Sequence, residues 1–344
     1  MSRYVSAVVE SVIAERRGLQ RLQLADGGRA YVLTELTGTV EPGDEVIVNT
    51  TAVDLRLGTG GWHVVHWNLS RHTLDQPGRG HIMKLRYTSL QADLGAAEEW
   101  APSDAPAELD GRPVVVCSLH SQLGVVAAVL ADQVPAARVA YLMTDGGALP
   151  IALSDLVATL CERELIAVTV TAGHAFGGDL EAVNVPSGLD VAIRLGGADV
   201  VIVAMGPGVV GTGVGLGTTA LEVAPAVDAA CALGGRAIVA ARTSASDGRA
   251  RHRGLSHHTA TALRFAARPA VVGHAAGTPP FDIPPPHEAV TVGVPVVAEL
   301  LDRLGVPVTT MGRGPEEDPL FFATTAAAGV LAARAHRSRS TVPS

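Results

Sequence analysis

The chain has 344 residues, 47% of them hydrophobic and 17% charged, with a formal net charge of −8. That apolar content fills a core and excludes a disordered chain, while the acidic balance and 3% aromatic residues argue against nucleic-acid and membrane-surface partners. No segment reaches the roughly 18 uninterrupted apolar residues of a membrane span. The first residues carry charges where a signal peptide needs an apolar centre, so the expectation is a cytoplasmic protein.

Cys117, Cys161 and Cys231 stand far apart in apolar contexts, which reads as three buried thiols in a reducing compartment. Lys84 is the only lysine among 26 basic residues. It is open to two readings, a residual surface lysine or a group with a task a guanidinium cannot perform, such as base or point charge.

Residues 1–70 carry short alternating runs at 5–14, 19–24, 30–33, 45–49 and 62–67, separated by turns such as Asp26-Gly27-Gly28 and Glu41-Pro42-Gly43-Asp44. Short strands at this spacing predict a small antiparallel β-barrel with a structural or docking role. Residues 71–111 read as a connection, extended near 82–87, with a turn or two of helix at 92–100 and a proline-rich linker at 101–111.

From residue 112 the period changes. Apolar runs at 113–117, 138–143, 166–171, 199–205, 236–241, 269–272 and 306–311 read as buried strands. Helical stretches lie near 120–132, 149–163, 187–195, 218–233, 257–267, 295–304 and 319–334, with Ser187 placed to cap the third. The alternation predicts an α/β domain over 112–335, a mostly parallel sheet of about seven strands flanked by helices. The last helix is alanine-rich on most faces, which suits burial or a contact in a homo-oligomer. Residues 336–344 read as a disordered tail.

The loop after each predicted strand is polar, and parallel strands put those loops on one edge, where open α/β sheets bind ligands. The first carries His120 at a helix start, where the dipole favours a neutral imidazole. The second carries Asp145 before two glycines. The third carries His174, Asp179 and Glu181, whose oxygen and nitrogen atoms are compatible with a divalent metal. The fifth carries Arg242, Asp247, Arg249, Arg251, His252 and Arg253 before His257 and His258, which point about 100° apart on a helix, so that one of them faces the site.

The fourth loop holds Gly206, Gly208, Gly211, Thr212, Gly213, Gly215 and Gly217, a backbone able to turn its N–H groups onto an anion. Gly206, Gly208 and Gly211 match the dinucleotide fingerprint, but further glycines delay the helix and Arg242 stands where an acidic residue would hold ribose, so NADP is disfavoured. A P-loop is excluded because no lysine precedes Thr212. A cradle for phosphate or carboxylate, helped by Arg242 and Arg251, is the better reading.

His120-Ser121-Gln122-Leu123, Met143-Thr144-Asp145-Gly146, Gly173-His174-Ala175-Phe176-Gly177-Gly178-Asp179, Gly206-Pro207-Gly208 through Gly211-Thr212-Gly213, and Arg251-His252-Arg253-Gly254 with Ser256-His257-His258-Thr259 resemble the blocks of a bacterial, mainly actinobacterial, family of uncharacterised proteins sharing a domain of unknown function. Gly80-His81-Ile82-Met83-Lys84 and Met311-Gly312-Arg313 resemble its pattern too. The resemblance runs over nearly the whole chain to about residue 334 and implies no reaction.

The resulting expectation is an enzyme, a hydrolase or group transferase, acting on a small anionic or phosphorylated metabolite. His120, His174, His252 or His257 would exchange protons, oriented by Asp145, Asp179 or Asp247, with Lys84 reaching in. A metabolite-binding regulatory module and an NADP-linked oxidoreductase are the alternatives.

Overall fold

A computed structural model describes residues 2–57, 60–78, 80–103 and 108–340. The chain divides into two units, Met1–Gly95 and Ala96–Ser344, a boundary that falls inside the expected connection.

In the first unit β1 (Tyr4–Arg16), β2 (Leu19–Leu24), β3 (Arg29–Leu33), β4 (Glu45–Asn49) and β5 (Trp62–Asn68) close a barrel in the order β1-β2-β3-β5-β4. Two register shifts in the thirteen-residue β1 let it curl and pair with both β2 and β4. Alternate residues such as Val9, Leu22, Val32, Val46 and Val65 fill the interior. Short helices α1 (Thr34–Thr37) and α2 (Thr51–Asp54) flank β4. The barrel is not wholly antiparallel, because β3 and β5 pair parallel. Five strands cannot alternate in direction around a closed ring, so one pair must run the same way. Beyond the barrel β6 (Met83–Lys84) pairs with β7 (Ala92–Asp93), and Lys84 is fully buried in this unit.

The second unit begins with α3 (Ala97–Trp100) and is built on an eight-stranded parallel sheet. Its strands are β8 (Pro113–Cys117), β9 (Val139–Thr144), β10 (Val168–Ala172), β11 (Leu180–Ala182), β12 (Val200–Met205), β13 (Arg236–Ala240), β16 (Val271–Ala275) and β17 (Glu288–Val292), in the order β11-β10-β9-β12-β8-β13-β16-β17. A two-stranded pair, β14 (Thr243–Ser244) and β15 (Gly254–Leu255), lies between β13 and β16 in the chain. Every residue of β8, β9 and β12 is buried, as continuous apolar strands covered on both faces require.

One face is covered by α4 (His120–Gln133), α5 (Asp155–Glu162), α9 (Val297–Leu304) and α10 (Pro319–Ser340). The other is covered by α6 (Val185–Arg194), α7 (Val223–Ala232) and α8 (His257–Phe265). The neighbours β8 and β12 therefore send their helices to opposite faces, and the crevice above their carboxyl ends is the topological switch point.

Several expectations are corrected. Residues 306–311 do not join the sheet; Pro307 lacks an N–H, Val306 and Val308 pack into the core, and the place beside β16 belongs to β17. β17 and β11 escape the sequence pattern because both are short edge strands that are half-exposed. Asn184, not Ser187, is the N-cap of α6: its side chain accepts from the N–H of Ser187, which answers from the third helical position. The stretch 336–340 continues α10, and residues 341–344 lie outside those described. α10 packs on α4, β13 and β16, so its alanine faces are covered within the chain. Of the thiols only Cys117 is buried; Cys161 is exposed. No described helix is long and apolar enough to cross a membrane.

Candidate functional site

Parallel strands carry five polar loops to one rim, and a set of hydrogen bonds ties them together. Gln122, fully buried in the first turn of α4, accepts the N–H groups of Ser118 at 2.9 Å and Leu119 at 3.0 Å. Its amide donates to the Ala240 carbonyl at 2.8 Å, which locks the end of β8 to the end of β13.

His120 opens α4 at the switch point. Nδ1 lies 3.1 Å from the Met205 carbonyl, and a carbonyl only accepts, so Nδ1 carries the hydrogen. Nε2 therefore receives the Ser154 hydroxyl at 2.6 Å, while Ser154 Oγ accepts the Val157 N–H and caps α5. Burial lowers the imidazole to about 4, so it stays neutral. With both nitrogens engaged, His120 fixes where β12 ends and the glycine loop begins. Beside it opens a cavity of about 310 Å³, lined by His120, Ser121, Pro207, Gly208, Thr310 and Met311 among others. The segment expected as a seventh strand thus forms a wall of the rim.

At the tip of β9, Thr144 donates its hydroxyl to Glu222 Oε1 at 2.6 Å. A Cβ at Gly146 would overlap the same carboxylate, so a side chain there would have to displace the end of Glu222. Burial first, then the charge of Asp145, raises Glu222 to about 7 despite the bonds from Thr144 and the Gly146 backbone. Glu222 is the residue sequence reasoning missed. It ends the glycine loop on a short 3₁₀ turn, Thr219–Glu222, and nothing in its local pattern sets it apart from a surface glutamate.

Asp145 accepts the His174 N–H at 3.1 Å, which brings the β9 and β10 loops together through the backbone of His174. The two carboxylates expected alongside His174 serve other ends. Asp179 accepts the N–H and hydroxyl of Thr169, at 2.9 and 2.8 Å. Glu181 accepts the Thr171 hydroxyl and the Gly177 N–H, both at 2.7 Å. Both fasten β11 and its loop to β10.

The glycine loop runs along the rim from the switch point to α8. Gly206 is buried beneath Ala148 and packs rather than binds. Gly208, Gly211, Gly213 and Gly215 lie in the open part of the loop, and no acceptor among the described residues takes their N–H groups. Thr212 is used inside the loop: its N–H donates to Gly217 and its hydroxyl accepts from Val214.

Beyond the loop, Asp247 gathers arginines. Arg249 grips it through two bonds of 2.9 Å, and Arg242 and Arg313 lie at 3.3 and 3.6 Å. Arg249, through its hydrogen bonds and then its charge, holds the Asp247 carboxyl well below the usual carboxylate range. Asp247 therefore organises the arginines and does not exchange protons near neutrality. Arg242 is itself buried on this partner, which removes it as a direct anion clamp, whereas Arg251 is exposed. His252 is buried beside His257 and His258, and the Thr218 hydroxyl, from the far end of the glycine loop, lies 3.4 Å from His258 Nδ1. Lys84 belongs to the first unit.

No curated protein matches the chain. A family model described as a protein of unknown function (DUF3866) matches residues 29–329, which spans the barrel from β3 onward and the sheet through the first half of α10, and the chain belongs to that family.

Proposed function

We propose that the protein is an enzyme acting on a small anionic or phosphorylated metabolite, by hydrolysis or group transfer, at the carboxyl rim of the parallel sheet. The observation that carries this reading is Glu222, a largely enclosed carboxyl that keeps its proton up to about pH 7 beside Thr144 and Asp145. Such a group can give a proton to a leaving atom and take one from water within the same pH range. It stands at the end of the loop whose exposed glycine N–H groups suit an anion, and the exposed Arg251 adds positive charge to the same rim. His120 serves as a positioning residue, because both its nitrogens are taken.

Thermal-shift measurements with inorganic phosphate, phosphomonoesters and dicarboxylates, followed by product-release assays on whatever stabilises, test the reading. At least one anion is expected to raise Tm, with a turnover limb near pH 7 that Glu222→Gln removes without abolishing the thermal shift. If no anion stabilises the protein, the reading fails. Stabilisation without turnover would mark a binding module in its place.

A further inference from the structure

Three imidazoles meet where the glycine loop crosses α8. His252 comes from a 3₁₀ turn, Ala250–His252, and His257 and His258 open α8 five and six residues later. Ring centroids are 5.0 Å apart for His252 and His257, 4.8 Å for His252 and His258, and 4.4 Å for the adjacent pair. One ligating atom from each ring lies within 4.8 Å of the others. Neighbouring histidines on a continuous helix diverge by about 100°. Here the preceding turn folds His252 back against both, so the two rings share one small space.

Two of the atoms in that space are unexplained by the fold. Nε2 of His257 and Nε2 of His258 are buried and have no hydrogen-bond partner among the described residues. Buried polar atoms are nearly always satisfied, and two orphans in one cluster need a common partner. The opposite ring edges are steered as a metal site requires. Ser256 Oγ lies 2.7 Å from His252 Nδ1 and Thr218 Oγ1 lies 3.4 Å from His258 Nδ1. Gly211 covers the Cε1–Nε2 edge of His258 so closely that a Cβ there would come within 2.6 Å of the ring.

We propose that His252, His257 and His258 form a three-histidine site for a zinc-class transition-metal ion, with its remaining coordination open to water or an anion. A tetrahedral zinc at about 2.0–2.1 Å from each nitrogen draws the three atoms to roughly 3.3 Å, a closure that small ring rotations supply. Burial, then neighbouring charges, keeps the imidazoles unprotonated well below neutrality, so their lone pairs are available at pH 7. Arg242 and Arg249 act on all three rings, and Arg251 acts on His257 and His258. The same arginines oppose a bare dication and favour one that carries an anionic ligand. The three ligands take no part in the proposed reaction at Glu222, and the site does not depend on it.

The test uses the full-length protein with zinc or cobalt chloride and no substrate, so its outcome is separate from that of the rim reaction. One metal ion per chain is expected after desalting, with an intense visible spectrum of low-coordinate cobalt. His257→Ala and His258→Ala should each weaken binding at least tenfold with the circular dichroism unchanged, and the exposed His72→Ala should leave it unchanged. Gly211→Ala keeps all three ligands and displaces one ring, so it should weaken binding as well and serves if a ligand variant fails to fold. Failure of the wild-type protein to retain either metal overturns the proposal. So does stoichiometric binding that survives loss of both His257 and His258.

Discussion

Asp247 shows how little of a residue's role its type reveals. Its side chain is 3% exposed and faces Arg242, which is 4% exposed, as well as Arg249 and Arg313. Removing one partner of a buried ion pair leaves an uncompensated charge that costs more than the pair contributes. Asp247→Asn should therefore destabilise the protein by about 3–5 kcal/mol in urea unfolding. A loss below about 1 kcal/mol would mean that the arginines reach water. The sequence placed Asp247, Arg242 and His252 in one loop, and that loop is on the rim. Their tasks depended on partners such as Arg313, which lies 66 residues further along the chain.

At the scale of elements, the small residues of α10 set how closely it lies on the sheet. Gly273 in β16 faces Ala327 and Ala328, and a Cβ there would stand 2.6 Å from the Ala328 backbone nitrogen. Helix and strand backbones cannot yield as a flexible side chain does, so Gly273→Ala should cost about 1–3 kcal/mol by overpacking, read as a lower midpoint in thermal unfolding. A neutral effect would show that α10 shifts freely. The long buried strands were legible because an apolar run bounded by turns has little other use. The edge strands β11 and β17 were not, since half-exposed strands carry half the signal. The run 306–311 has the apolar content of a strand, but residues 307–311 line the switch-point cavity instead, and Val306 and Val308 pack into the core.

For the whole molecule, two sets of groups tilt stability in opposite directions with pH. Glu222 is raised to about 7, so between its unfolded value near 4.5 and pH 7 the native state holds a proton the unfolded chain releases. Its contribution is complete below the unfolded value and is lost as pH rises through 7. His120, His252 and His258 are lowered to about 4, 3 and 4, so their contribution is complete above 6.5 and is lost as pH falls toward those values. A stability maximum near pH 6 is the expected outcome in denaturant titrations across pH 4–9. Glu222→Gln should remove a fall in stability of up to about 3 kcal/mol spread over pH 4.5 to 7, so the acid side steepens and the decline just above the maximum disappears. An unchanged alkaline side would mean that Glu222 is solvated.

Strand periods, turn residues and the alternation of strand with helix settled a barrel followed by a parallel sheet with its polar loops on one rim. Those signals are local, and parallel direction alone sends each loop to the carboxyl edge. Strand order, the unpaired stretch at 306–311 and the partnerships of Gln122 with Ala240, Glu222 with Thr144 and His258 with Thr218 were decided by tertiary structure. A carboxyl's proton affinity and an imidazole's missing partner are set by atoms brought from 40 to 120 residues away, and no window of sequence contains them.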